Sequence, residues 1–312
     1  MTINILFSAD DRHHAVWLPV LRKTFTEFEL DFELVLETRN PEEIDYMIHS
    51  PDGKINDFTP FTNLKAILTL WAGVEDIIHN PTIACPLVRM NDPGMVEGMA
   101  EWVTAQVLRH HLGMDIHINN TSGAWLKETS PPLARSRIVG FLGLGVLGLA
   151  CLLAVRSLNF QVFGWSRTPK EIPGIKTFHG EAGLTQVLGS SDIISMILPL
   201  TRDTSDLINQ DTLKSIKPGA VLINSGRGGL INENDLLEAL DTGKVSHATL
   251  DVFKTEPLPV DHPFWKHEQV SIWPHISSET RPETASISIA RNIVRNQRGE
   301  AMENIVDFER GY

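Results

Sequence analysis

A chain of 312 residues, 42% of them hydrophobic, can bury a sizeable core, and its length favours two domains over one. Its formal charge of -12 argues against nucleic-acid or anionic-membrane binding, since both need clustered Lys and Arg. No apolar run approaches the ~20 residues that span a bilayer, and MTINILFSADDRHH has neither the basic nor the apolar region of a cleavable leader. Cys85 and Cys151 lie far apart and form no CxxC, so two reduced packing thiols and a soluble cytoplasmic protein are expected.

Along the chain, INILFSA, FELVLE, DYMIHS and LKAILTLWAG are apolar bursts with helix-compatible stretches between them. That alternation predicts a parallel sheet with helices on both faces. In DPGMVEGMAEWVTAQVLRHHLGMDIHI, residues Val96, Met99, Val103, Val107 and Leu108 recur at helical spacing, which predicts one long helix over 95–119 leaving the first domain. The polar, Pro-containing NNTSGAWLKETSPPLARS then reads as a linker.

A second alternating series starts at Arg137, with RIVGFLG, FQVFGWS, DIISMIL, AVLINSG, HATLDVF and VSIWPH as candidate strands. After Pro282, ETASISIARNIVRNQRGE is a helical segment long enough to return to the first domain. The expected division is residues 1–98 with 283–312 as a substrate domain, and 99–282 as a dinucleotide-binding domain.

IVGFLGLGVLG opens the second series as a strand running into Gly143, Gly145 and Gly148. The spacing has a mechanical reading: Gly143 makes the tight turn, Gly145 lets a pyrophosphate reach the backbone, and Gly148 lets the new helix pack on its strand. Val146 and Leu147 begin that helix, whose N–H groups and positive dipole end suit phosphate. A bare Gly-rich turn is the alternative, and the flanking strand and helix count against it.

About twenty residues further on, an acid would hold the adenosine ribose hydroxyls of NAD. Ser166, Arg167 and Thr168 stand there instead. A guanidinium pairs with a 2'-phosphate where a carboxylate repels it, so NADP(H) is expected in preference to NAD(H). The alternative is a solvated loop arginine.

INSGRGGLINENDLLEAL, ATLDVFKTEPLP and VSIWPHISSET each place a polar group just beyond an apolar strand, where open α/β sheets bind ligands. Arg227, Glu256 and His275 are therefore the catalytic candidates. Taken singly, a capping arginine, a turn glutamate before Pro257 and a core histidine remain open readings. His13 with His14, and His110 with His111, are neighbours that cannot face one ligand together on a helix. His262 and His267 lack a third partner at metal spacing, and Ser225 stands outside any GxSxG, so neither a metal nor a serine nucleophile is expected. Trp71, Met95 and Trp273 are candidates for a pocket wall, with Arg89 and Arg281 as further carboxylate contacts.

The ordered run GLGVLG, LPLTRDT, INSGRGG, LDVFKTEPLP and HPFWKHEQVSIWPH resembles the D-2-hydroxy acid dehydrogenase family over roughly residues 60–285. SRT, WAGVED and MNDPGM resemble its glyoxylate/hydroxypyruvate reductase A branch. The resemblance implies two doubly wound parallel-sheet α/β domains, a Rossmann dinucleotide-binding domain inserted into a flavodoxin-like substrate domain, with the active site between them. It implies that Arg227 holds the substrate carboxylate and carbonyl, that His275 is the acid/base and that Glu256 pairs with it. Asp251 would face the nicotinamide carboxamide, with Leu198, Pro199, Thr204, Ser225 and Gly226 as further cofactor contacts. Backbone N–H groups of Trp71, Ala72 and Gly73 would meet the substrate carboxylate, and the assembly would be a homodimer.

Chemistry gives its own reasons for these residue types. Hydride addition to a 2-keto acid leaves an alkoxide that needs a proton, which an imidazolium beside a carboxylate provides. Arg227 suits the carboxylate and polarises the carbonyl. The expected function is NADPH-dependent reduction of glyoxylate, hydroxypyruvate and similar acids. Phosphoglycerate or formate oxidation is one alternative, and a chain ending at Tyr312 is expected to lack an added regulatory domain, which weakens the phosphoglycerate reading. A catalytically silent dinucleotide-binding regulator is the other, and it has no need of Arg227, Glu256 and His275 together.

Overall fold

Strands that are apolar and buried on both faces set the architecture. The structure is a computed structural model and describes residues 2–127 and 130–311. β1 (Ile3–Ser8) leads through α1 (His14–Glu27) to β2 (Phe32–Val35), β3 (Tyr46–His49), β4 (Ala66–Thr69) and β5 (Leu87–Val88). These five pair in parallel in the order β2-β1-β3-β4-β5. Every residue of β3 and β4 is buried, which is why these segments read as unbroken apolar runs. β5 is only two residues long, too short to leave a sequence signal.

α2 (Pro93–Leu112) starts at Asp92, whose Oδ1 accepts the N–H groups of Gly94 and Met95 at 2.8 and 3.3 Å. The expected single helix over 95–119 is broken. Gly113 takes a left-handed conformation (φ +61°), and the short α3 (Met114–Ile118) begins after it.

The second sheet contains β6 (Ile138–Leu142), β7 (Gln161–Ser166), β8 (Lys176–His179), β9 (Ile193–Met196), β10 (Ala220–Asn224), β11 (Val245–Leu250) and β12 (Val270–Ile272). Its order is β12-β11-β10-β9-β6-β7-β8, all parallel. Alternation along the strands divides the core in two. Val139, Phe141, Ile193 and Ile223 pack with Met99, Val103 and Val107 of α2. Leu142, Ile194 and Leu222 face the other way, against Leu184, Leu188 and Leu236. β8 escaped the sequence reading because it is a half-exposed edge strand with no apolar run. The order in which strands are added reverses at the neighbouring β6 and β9, so the turn after β6 lies at the switch point where such sheets bind ligands.

α4 (Val146–Ser157) follows β6, and α5 (Pro282–Gln297) brings the chain back to the first sheet. There Ser286 Oγ lies 2.9 Å from Thr24 Oγ1 of α1, and Tyr46 donates its hydroxyl to Asn296 at 2.7 Å. The chain thus forms two compact units, Met1–Met95 with Thr280–Tyr312, and Val96–Glu279. Each boundary falls three residues before the position read from sequence.

Candidate active site

The glycine loop is shaped by contacts that exclude a side chain. Gly143 has φ +110°, and a Cβ there would stand 2.2 Å from the Ile197 carbonyl oxygen. At Gly148 a Cβ would meet the Gly143 carbonyl oxygen at 2.1 Å, so the first turn of α4 rides directly on the loop. Gly145 differs, since a Cβ there would meet nothing within 4 Å. The absence of a side chain at Gly145 thus keeps space open in front of α4. That helix has no side-chain cap, and Val146 in its first turn is exposed while Leu147 packs partly on the core. Open space before uncapped helical N–H groups fits a dinucleotide pyrophosphate.

No acid ends β7. Ser166 is buried and donates Oγ–H to the Thr168 carbonyl at 2.8 Å, which curls the loop back. Arg167 is exposed, with Nη1 2.7 Å from Asp203 Oδ2. Lys170, which the sequence reading passed over, donates Nζ–H to the Leu144 carbonyl of the glycine loop at 2.7 Å. Its only sequence signal was a second cation three residues after Arg167.

Leu198 and Pro199 follow β9, both half-buried. Thr204 donates its hydroxyl to the Pro199 carbonyl (2.7 Å) and accepts the Thr201 N–H (2.8 Å), closing the turn between them. After β10, Asn224 accepts the Gly226 N–H at 3.1 Å and donates to the Arg227 carbonyl at 2.9 Å, so this strand-end amide sets the course of the Arg227 turn. Gly226 packs on Leu198, where a Cβ would lie 2.8 Å from the carbonyl oxygen. Ser225 Oγ is buried and makes no hydrogen bond among the described residues.

Gly228 places the Arg227 turn against the loop that carries Glu256. A Cβ at Gly228 would lie 1.9 Å from the Phe253 carbonyl carbon, so backbone touches backbone. Arg227 Nη1 donates to the Gly226 carbonyl at 2.7 Å. Glu256 Oε1 accepts the Phe253 N–H at 2.8 Å, and Oε2 lies 2.7 Å from His275 Nδ1.

His275 itself adopts a left-handed backbone, φ +56°, uncommon for a residue with a side chain. Asp251 holds it there. The Asp251 carbonyl accepts the His275 N–H at 2.8 Å, and its two carboxylate oxygens accept the N–H groups of Ile276 and Ser277 at 2.9 and 3.0 Å. Asp251 is fully buried beneath this turn, a positioning role that the resemblance did not suggest.

The charges are coupled. The hydrogen bond that His275 donates to Glu256 raises the His275 pKa above its ordinary value, against the opposing effect of burial. Burial alone would push Glu256 up, but the hydrogen bonds from His275 and the Phe253 N–H, with the nearby cationic charge, hold it below the usual range. An ionised Glu256 can only accept, so Nδ1 carries the proton of this contact and Nε2 is left for chemistry.

In the other unit, Trp71, Ala72 and Gly73 follow β4. The Trp71 carbonyl accepts from Thr69 Oγ1 at 2.7 Å and from the Met90 N–H at 3.0 Å. Among the described residues the N–H groups of Ala72 and Gly73 meet no acceptor. Of the supposed pocket wall, Met95 is buried in the core and Trp273 packs edge-on against Trp102 at 5.7 Å, while Trp71 stays exposed.

Residues 103–277 match the family model described as D-isomer specific 2-hydroxyacid dehydrogenase, NAD binding domain. The chain is 37% identical over 257 residues to glyoxylate/hydroxypyruvate reductase A of Serratia proteamaculans, covering 80% of this chain and 82% of that one. It is 38% identical to the same-named protein of Yersinia enterocolitica, with the same coverage. Among solved structures, a D-isomer specific 2-hydroxyacid dehydrogenase from Xanthobacter autotrophicus Py2, in complex with NADPH and MES, superposes with TM-score 0.92 at 35% identity, covering 100% of both chains. The NADPH-dependent glyoxylate/hydroxypyruvate reductase of Sinorhizobium meliloti, in complex with NADP and sulfate, gives TM-score 0.89 at 28% identity, covering 99% of this chain and 100% of that one.

Proposed function

Because the chain belongs to the D-isomer-specific 2-hydroxyacid dehydrogenase family and is an NAD(P)-dependent oxidoreductase, we propose that it reduces glyoxylate and hydroxypyruvate, using NADPH in preference to NADH. The observation that carries this reading is the 2.7 Å contact between Glu256 and His275, beside the Arg227 turn. Relatives named for both substrates, and a neighbour in complex with NADPH, support the choice of substrate and cofactor.

Gly143, Gly145 and Gly148, with the first N–H groups of α4, would hold the pyrophosphate, and Arg167 would pair with the 2'-phosphate. Leu198, Pro199, Ser225 and Gly226 would line the nicotinamide side. The bound nicotinamide supplies the hydride. Arg227 neutralises the substrate carboxylate and draws electron density toward the carbonyl oxygen. His275 gives its Nε2 proton to the developing alkoxide, while Glu256 keeps the ring oriented through Nδ1 and stabilises its charged form. Asp251, buried beneath the His275 turn, fixes the ring's starting point. In the other unit, the unengaged N–H groups of Ala72 and Gly73 support the carboxylate-binding role given to Trp71, Ala72 and Gly73 by resemblance.

The exposed apolar side chains Ile118 and Trp125, the latter 91% exposed, support a second copy of this chain as partner. Initial rates with glyoxylate and hydroxypyruvate, each with NADPH and NADH, on wild type and Arg167→Ala test the reading. An NADPH preference that Arg167→Ala lowers is expected; no turnover with either acid despite NADPH binding would contradict it.

A further inference from the structure

The inference rests on the NADPH reading and concerns how strongly the 2'-phosphate is read. Arg167 already has a carboxylate partner in this structure, because Nη1 lies 2.7 Å from Asp203 Oδ2, with the side chains 49% and 60% exposed. Asp203 sits in the turn that Thr204 closes through its hydrogen bonds to the Pro199 carbonyl and the Thr201 N–H, so the backbone holding the acid is fixed. The second cation of the loop is placed differently. Lys170 donates to the Leu144 carbonyl at 2.7 Å, and among the described residues it has no carboxylate within 4.0 Å. Since Leu144 stands between Gly143 and Gly145, this ammonium is pinned at the mouth of the glycine loop with two N–H groups to spare.

We propose that Asp203 is a selectivity residue that weakens the preference for NADPH by competing with the 2'-phosphate for Arg167, and that Lys170 is the cation standing ready to hold that phosphate. A phosphate monoester brings about 1.5 to 2 negative charges at neutral pH. To grip it bidentately, Arg167 must release Asp203 or share its donors, and a carboxylate left within a few ångströms repels the phosphate. NADH carries only a ribose hydroxyl at that place and meets neither cost. The opposite arrangement, an Asp203 that merely aims Arg167, has the opposite sign: removing the acid would then weaken 2'-phosphate binding.

Calorimetric titrations of the full-length enzyme with adenosine 2',5'-bisphosphate and with 5'-AMP separate these cases. They would be run on wild type, Arg167→Ala, Asp203→Asn, Asp203→Ala and Lys170→Met at low and high salt. Because exposed pairs contribute modestly, Asp203→Asn should bind the bisphosphate about two- to fivefold more tightly, with 5'-AMP affinity unchanged. Lys170→Met should bind it about fivefold or more weakly, and both effects should shrink with salt. Asparagine keeps the shape and can still accept from Arg167, so unchanged or weaker bisphosphate binding in Asp203→Asn overturns the competition. Wild-type affinity in Lys170→Met overturns the role of the lysine. If wild type binds the two nucleotides equally, the NADPH reading itself has failed; if wild type prefers the bisphosphate and Arg167→Ala lowers that preference, a silent Asp203→Asn condemns this inference alone.

Discussion

His275 Nδ1 and Glu256 Oε2 stand 2.7 Å apart, in a contact that makes one residue the pH sensor of the other. The pair raises the His275 pKa, so the protonated ring needed for reduction persists above its ordinary value of about 6.5. Stabilisation from the charged pair is therefore fully present below that value and is lost as pH rises through the raised pKa. For 2-keto acid reduction, kcat/KM should fall on an alkaline limb set by His275. In Glu256→Gln that limb should move to lower pH. An unmoved limb in a stopped-flow or steady-state pH profile would remove Glu256 from the acid/base pair.

Asp251 predicts a different signature. Asparagine offers one acceptor oxygen where Asp251 uses two, so one of the Ile276 and Ser277 N–H groups is left facing an amide donor in a fully buried site. Asp251→Asn should lose about 1–3 kcal/mol of stability, the cost of an unsatisfied buried group. It should also lower kcat, because the His275 turn loses its support. Thermal unfolding and kinetics measured together check this, and a variant as stable and active as wild type would show that the turn holds itself.

The glycine loop separates architecture from ligand space. Gly145→Ala places its methyl where nothing lies within 4 Å, at a backbone φ of -75° that alanine tolerates, so stability should change by less than about 0.5 kcal/mol. NADPH affinity should nevertheless drop at least about tenfold, because the methyl enters the phosphate space. Gly148→Ala should do the reverse, with a Cβ 2.1 Å from the Gly143 carbonyl oxygen destabilising the fold before any ligand binds. Thermal shift with and without NADPH distinguishes the two.

Gly228→Ala tests how the Arg227 turn is positioned. A Cβ 1.9 Å from the Phe253 carbonyl carbon cannot be accommodated without moving backbone. A loss of about 3 kcal/mol or more, together with a raised KM for the keto acid, is expected. Normal stability and KM would mean that the two loops move independently.

The sequence revealed what is carried by local sterics and by strand pattern. Most strands of both sheets, β5 and β8 excepted, announced themselves as apolar runs because parallel strands are buried on both faces, and GLGVLG declared its turn because a side chain fits at neither Gly143 nor Gly148. Arg227, Glu256 and His275 were recognisable as an ordered set, each just after a strand. Their supports were not. Asn224, Asp251, Lys170 and Asp203 act through hydrogen bonds and ion pairs closed by the fold, and Lys170 meets Leu144 across 26 positions of chain. For Asp251 the motif position suggested a cofactor contact and said nothing of the Ile276 and Ser277 N–H groups that its carboxylate accepts. The break of the long helix at Gly113 was missed because Met114–Ile118 continues in helical conformation after a single left-handed residue.

The most direct test of the central claim is NADPH oxidation by wild type and His275→Ala with glyoxylate and hydroxypyruvate, alongside an NADPH binding titration of both proteins. The account predicts near-equal NADPH affinity and a turnover lowered by about 10²–10⁴, the range for loss of a general acid. Turnover within a few-fold of wild type in His275→Ala would contradict it.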